Sequence, residues 1–323
     1  MAAPYDSTSF IVTACYATFI NLYHLMSSLS DRYAFGKSRE VDLSDEVVVV
    51  TGGKCGLGGC IAEVYGMKGV RVAVLDVSVG EEEEKSSADE EDDVRYYRCD
   101  VGDREEVDRV WKRVVDDLGT PTVLVNNAAV VNGKPFLELS ADDVERTFRT
   151  NTISHYHLTS LFLPPLLNRP NGGTLITIAS VLGYLGPSQL SAYSGSKAAL
   201  IAYHDSLSAE LASSSMPKNS VKTILVTPGA LTTPLFAGLQ QNRVRDFFGP
   251  VVDVRELAMK IIWMIDQGKG GVIAMPAYAR WIAWMGVLPA GLHKLARWAS
   301  GLDGAIQAMS QRRTKTEAGE FVP

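Results

Sequence analysis

An α/β fold with one doubly wound parallel sheet is predicted by three observations in this 323-residue chain. β-Branched runs such as EVVVVT and VRVAVLD alternate with segments that carry apolar residues at helical spacing. The first run ends in a glycine-rich turn, TGGKCGLGG, that leads into a helix. The second run is closed by an acidic residue, Asp76. Right-handed βαβ connections then place the strands parallel in a single sheet.

The elements follow in order. Ser9 to Leu29 contains no Asp, Glu, Lys or Arg, close to the ~20 residues that span a bilayer. It has neither the basic leader nor the small-residue cleavage site of a signal peptide. Thr13, Asn21, His24 and Ser28 could form one stripe, which suits a helix lying in a membrane interface. The alternative is a helix docked on its own domain. Arg32, Lys37 and Arg39 follow directly and would keep the next domain in the cytosol.

Beyond a polar linker come the EVVVVT strand, a helix from about Leu57 to Lys68, and the VRVAVLD strand. Gly80–Asp93 is acidic with almost no apolar positions, and reads as a solvated loop or a frayed helix. Cys99–Val101 ends a short strand, Glu105–Asp117 is an amphipathic helix, and TVLVNNAA is the next strand. A helix near Asp142–Leu163, the strand TLITIAS, a helix from about Ala192 to Ala212 and the strand VKTILVTPG complete the alternation. Ala279–Met309 holds Trp281, Trp284 and Trp298 with Leu and Ile at near-helical spacing, beside Arg280, Lys294 and Arg297. Such a segment suits a membrane interface, the wall of an apolar pocket, or ordinary packing on the core. The last dozen residues read as disordered. The chain thus divides into an apolar helix and linker (1–40), a doubly wound α/β domain (41–278) and a C-terminal helical extension (279–323).

Composition narrows the function classes. At 46% hydrophobic and 21% charged residues the chain can bury a large core. A net charge of −6 with scattered basic residues argues against a nucleic-acid partner. Cys15, Cys55, Cys60 and Cys99 have no metal-ligand spacing, and the five histidines show none either.

The chemistry-bearing residues begin in the turn. Gly52, Gly56 and Gly58 allow backbone to approach a pyrophosphate at the N-terminus of the following helix. Asp76 can accept hydrogen bonds from adenosine ribose hydroxyls and repel a 2′-phosphate, which favours NAD over NADP. Lys54, in the turn itself, points the other way because it could pair with that phosphate. Further along, Asn151 precedes Ser180, and Tyr193 and Lys197 follow Ser180 by thirteen and seventeen residues. Tyr193 and Lys197 are one helical turn apart, so they share a face.

The set TGGKCGLG, NNAA, Asn151, Ser180, YSGSK and TPG resembles the short-chain dehydrogenase/reductase family, in its single-domain Rossmann subgroup. The motifs run from about Val47 to Thr233, with a looser match to about Pro276. Cys55 stands where a related epimerase-type subgroup has glycine, which argues against that subgroup. The resemblance implies that Tyr193 is the general acid/base, that Lys197 lowers its pKa and binds the nicotinamide ribose, and that Ser180 holds the substrate oxygen. It implies a water relay at Asn151. It assigns Asp100 to the adenine edge, Asn127 to the floor of the cofactor site, and Thr233 to the carboxamide, with Thr232 as the alternative. Leu57, Val101, Ala128, Pro228, Gly229 and Leu231 fall in the same cofactor cleft by that resemblance. Ala129, where the family usually has glycine, would slightly crowd the cradle.

The apolar ends give a weaker resemblance to the retinol dehydrogenase branch. It implies a lipophilic alcohol or carbonyl, retinoid-, steroid- or long-chain-like, reached from a cytosol-facing endoplasmic reticulum or lipid-droplet surface. A cytoplasmic reductase of a polyketide-like metabolite and a non-catalytic dinucleotide sensor are the alternatives. The family's habit of pairing the helices that carry Asn151 and Tyr193 implies a homodimer or homotetramer.

Overall fold

A computed structural model describes residues 8–87, 93–167, 169–213, 221–232 and 251–308. The terminal dozen residues and Thr233 lie outside them. The strands β1 (Val47–Thr51), β2 (Arg71–Asp76), β3 (Val94–Arg98), β4 (Val123–Asn126), β5 (Gly173–Ile178), β6 (Val221–Pro228) and β7 (Gly271–Met275) form one parallel sheet. Its order is β3-β2-β1-β4-β5-β6-β7, so the direction of winding reverses between β1 and β4. Ligand sites of such sheets lie at this switch point, outside the carboxyl ends of the strands.

Strand period two sorts the core into two layers. Val48 and Val50 face Leu57, Ile61 and Tyr65 of α2 (Gly56–Met67) together with Leu257, Ile261 and Ile265 of a C-terminal helix at Val254–Asp266. Val47 and Val49 face Val107, Trp111 and Val114 of a helix at Arg104–Leu118, and Leu158, Phe162 and Leu166 of a helix at Ser154–Leu166. In chain order the helices are α1 (Thr8–Phe35), α2, α3 (Glu81–Ser86), α4 (Arg104–Leu118), α5 (Ala141–Phe148), α6 (Ser154–Leu166), α7 (Ser191–Ala212), α8 (Val254–Asp266) and α9 (Ala290–Ser300).

Two elements differ from the expectation and two are made more specific. The strand expected to end at Cys99–Val101 stops at Arg98, and those three residues form the turn after it. The helix expected over Asp142–Leu163 is interrupted by a π turn at Arg149–Ile153, in which Asn151 sits. Part of the acidic run does fold: α3 spans Glu81–Ser86. The Trp-rich extension is not one helix, because Pro289 blocks continuation and Gly301 ends α9 in a left-handed conformation, φ 62°. It begins instead with 3₁₀ turns over Ala277–Arg280 and Ile282–Val287.

α1 is 28 residues long, and none of its residues is buried. It is long and apolar enough to cross a membrane, with a mean hydropathy of 1.3 in its best window. Apolar side chains ring it rather than forming one face: Phe10, Ile11 and Val12 are consecutive and all exposed. Two of its polar side chains bond their own helix, Thr13 to the Ser9 carbonyl and Asn21 to the Ala17 carbonyl, both at 2.8 Å. Its end is pinned to the sheet. Lys222 Nζ donates to the Phe35 carbonyl at 3.1 Å, and the Arg39 N–H donates to the Gly268 carbonyl at 2.9 Å. Arg39, read as a juxtamembrane surface charge, is 7% exposed and pairs with buried Glu46 at 2.8 and 3.0 Å. Its Nε also donates to Thr174 at 2.9 Å, tying the linker to the amino edge of the sheet.

Candidate active site

A cleft of about 460 Å³ runs along the carboxyl ends of the strands. Gly52, Gly56 and Leu57 enter it from the turn after β1, Asp76 from the end of β2, and Asp100 and Val101 from the turn after β3. Asn127 and Ala128 enter after β4 and Ser180 after β5. Tyr193 and Lys197 come from α7, and Pro228, Gly229 and Leu231 from the end of β6 and beyond. Gly58, Lys54 and Asn151 do not line it.

The turn is shaped for close approach. Gly52 has φ 61°, and a Cβ there would stand 2.9 Å from the Ala128 Cα. A Cβ on Gly58 would meet the Gly52 carbonyl at 2.5 Å and the Asn127 amide at 2.7 Å, so Gly58 lets α2 pack on the turn. Asn127 Nδ2 donates to the carbonyls of Thr51 and Gly52 at 3.0 and 2.9 Å. Thr51 Oγ1 accepts from the Asn127 and Ala128 N–H groups at 3.0 and 3.1 Å. The N-cap of α2, Cys55, makes no capping bond, which leaves the first-turn N–H groups of that helix for an anion in the cleft.

At the far end Asp76 is held as a fixed acceptor. Its Oδ1 takes the Ser78 N–H at 2.9 Å and the Ser78 hydroxyl at 2.7 Å, and its Oδ2 takes the Lys54 N–H at 3.2 Å. The Lys54 side chain turns away toward α3. Asp100 Oδ1 accepts the Gly102 N–H at 2.8 Å.

At the near end all four sequence-predicted side chains are buried: Asn151 0%, Lys197 2%, Tyr193 4% and Ser180 5% exposed. Ser180 Oγ accepts the Leu182 N–H at 3.1 Å and is hydrogen-bonded to the Tyr193 hydroxyl. Lys197 Nζ donates to the Ile178 carbonyl at 2.8 Å and lies 5.8 Å from the centre of the Tyr193 ring. Burial pushes the Tyr193 phenol up to about 12, with the Ser180 hydrogen bond pulling the other way. Burial pushes Lys197 down to about 7. The resemblance implied a tyrosine lowered by its lysine, but here desolvation dominates both groups.

Asn151 works through backbone. The π turn aims its amide at the loop after β4, where Oδ1 accepts the Val130 N–H at 2.8 Å and Nδ2 donates to the Val130 carbonyl at 3.0 Å. Nδ2 also donates to Ser196 Oγ at 3.1 Å, and Ser196 in turn donates to the Tyr193 carbonyl at 2.7 Å. Sequence reading missed Ser196 and Thr51. The position of Ser196, three residues after Tyr193 on the same helix, was the available signal.

Comparison with known proteins agrees with this geometry. Residues 46–244 match the short chain dehydrogenase family profile. The chain belongs to that family. It is 31% identical over 309 residues to the uncharacterized oxidoreductase TDA5 of Saccharomyces cerevisiae, covering 92% of this chain and 89% of that one. It is 30% identical over 245 residues to retinol dehydrogenase 10-B of Xenopus laevis, covering 67% and 71%. Among solved structures, a 3-ketoacyl-(acyl-carrier-protein) reductase from Brucella melitensis, complexed with NADH, superposes with a TM-score of 0.62 at 20% identity. That superposition covers 72% of this chain and 96% of that one, and supports the fold. The protein is therefore an NAD(P)-dependent oxidoreductase with a nicotinamide dinucleotide cofactor. The Gly52 cradle, the uncapped α2 N-terminus and the Asp76 acceptor fit that group.

Proposed function

We propose that this protein transfers hydride between nicotinamide and a lipophilic alcohol or carbonyl, with Tyr193 as the general acid/base. The observation that carries the reading is the meeting of Ser180, Tyr193 and Lys197 on one wall of the cleft. The chemistry a nicotinamide would supply in this cleft is hydride donation to, or acceptance from, the carbinol carbon. Ser180 donates a hydrogen bond to the substrate oxygen and fixes it beside the phenol. In reduction, Tyr193 holds its proton until the oxygen gains charge, then passes it over. Lys197 exchanges a proton near neutrality and restores the phenol; in oxidation the same steps run backwards. Asn151 positions the helix that carries the pair by joining Ser196 to Val130.

The substrate class is supported by the surroundings of Tyr193. Val131, Val181, Leu182, Leu190, Ala279 and Ile306 form an apolar cluster with it, and two of them come from residues beyond Pro276. Similarity to retinol dehydrogenase 10-B points the same way. In this reading α1 is a membrane anchor, 41–278 the catalytic domain, and the turns and helix within 279–308 a cap on the substrate end. About 42 Å of α1 exceeds the ~30 Å of a hydrocarbon core. Exposed Trp281, Trp284 and Trp298 on the cap suit the same cytosol-facing lipid surface. Ile153 and Tyr156, both more than half exposed beside α7, suit a homodimeric face.

The reading favours NAD over NADP, because Asp76 would accept hydrogen bonds from the ribose hydroxyls and its charge would repel a 2′-phosphate. The test is NADH and NADPH oxidation with apolar and small polar carbonyls, beside vesicle flotation with and without residues 1–30. Turnover of apolar carbonyls with NADH and flotation that needs the helix are expected. Turnover of small polar carbonyls alone, with no flotation, would overturn the substrate reading.

A further inference from the structure

The acidic stretch after β2 reads in sequence as a solvated loop or a frayed helix, and in the structure the α3 segment is tied down at three points. Glu84 pairs with Arg113 of α4 at 2.7 Å. Ser87 Oγ accepts the Tyr96 N–H of β3 at 2.9 Å. Glu83 Oε2 pairs with Lys54 Nζ at 2.6 Å, across 29 residues of chain. The Lys54 ammonium also donates to the Ser78 carbonyl at 2.8 Å. The Lys54 ammonium holds the Glu83 carboxyl below its usual range, while the Asp76 charge acts in the opposite sense.

Lys54 occupies a position of consequence. Its own N–H bonds the Asp76 carboxylate at 3.2 Å, so its four-carbon stem starts beside the group that would meet the ribose hydroxyls. Swung over, its ammonium would meet a phosphate on the 2′ oxygen. With Glu83 and the Ser78 carbonyl as partners, it is instead held back on the α3 side.

We propose that Glu83 is a cofactor-specificity residue: it engages Lys54 and so withholds from a 2′-phosphate the cation that would bind it. Specificity then rests on two carboxylates with separate duties. Asp76 repels the phosphate directly, and Glu83 removes its counter-ion. The pair is about one-third exposed on each side, so its effect is moderate and salt-sensitive. This proposal rests on the NAD reading given above.

The test is a fluorescence titration of the full chain with NADH and with NADPH at low salt, with no substrate present. Wild type binds NADH more tightly. Glu83→Gln tightens NADPH binding about fivefold and changes NADH binding by less than about twofold, the scale of a partly exposed ion pair. Adding Lys54→Met to Glu83→Gln removes the gain, because the freed cation is gone. Three results would overturn the proposal. The NADPH to NADH ratio could stay unchanged in Glu83→Gln. Both cofactors could weaken together, which marks a structural role for α3. The gain could survive loss of Lys54. A wild type that prefers NADPH overturns the cofactor reading and this proposal with it, whereas an unchanged ratio on an NADH-preferring background overturns this proposal alone.

Discussion

The two ends of the cofactor cleft are built on opposite electrostatic terms. At the Tyr193 end the polar groups are almost fully buried, and Asn151, Ser180 and Lys197 bond to backbone. At the Asp76 end the paired side chains Lys54 and Glu83 are 34% and 36% exposed. Burial gives the first end large shifts, a phenol raised to about 12 and a lysine lowered to about 7. Solvent screens the second end, where a charge changes binding by modest factors. In the proposed reading, proton transfer belongs to the dry end and choice of cofactor to the wet one.

The division can be broken by substitution. Tyr193→Phe and Lys197→Met each lower kcat/KM by about 10³, the scale of a lost acid/base group. Lys197→Met also weakens NADH binding, because the lysine would hold the nicotinamide ribose. Asn151→Ala leaves the Val130 N–H without its buried partner, and we expect kcat to fall about 10²-fold with a lower Tm. If Asn151→Ala changed Tm alone, its amide would be a structural tie only. Asp76→Ala leaves kcat with NADH near wild type and improves kcat/KM for NADPH about tenfold.

A separate effect is on stability. The free lysine keeps its proton up to about 10.5, and folded Lys197 releases it near 7. Between those values the unfolded chain binds the extra proton, so the contribution of Lys197 to stability grows as pH rises. Denaturant midpoints of wild type and Lys197→Met from pH 7 to 9 measure it. Parallel slopes would contradict a desolvated lysine.

Legibility in the sequence follows the same division. β-Branched runs and the glycine turn predicted the sheet because strand period and turn chemistry are local properties. The order Ser180, Tyr193, Lys197 was readable because two of the three lie on one helix face. The π turn at Asn151 was not, since what accompanies it is a contact with Val130, 21 residues away. Nor was the partner of Lys54: Glu81, Glu82, Glu83 and Glu84 look alike in sequence, and only the fold shows which one meets the turn. Arg39 misled for the same reason, because its partner Glu46 and its burial are properties of the fold.

The central claim is that Tyr193 supplies the proton while the remainder of the cleft holds the cofactor. Tyr193→Phe tests it by pairing two numbers, the Kd for NADH and kcat/KM with an apolar carbonyl. The account predicts a Kd within about twofold of wild type beside a loss of about 10³ in kcat/KM. Retained turnover in Tyr193→Phe, with NADH still bound, would contradict it.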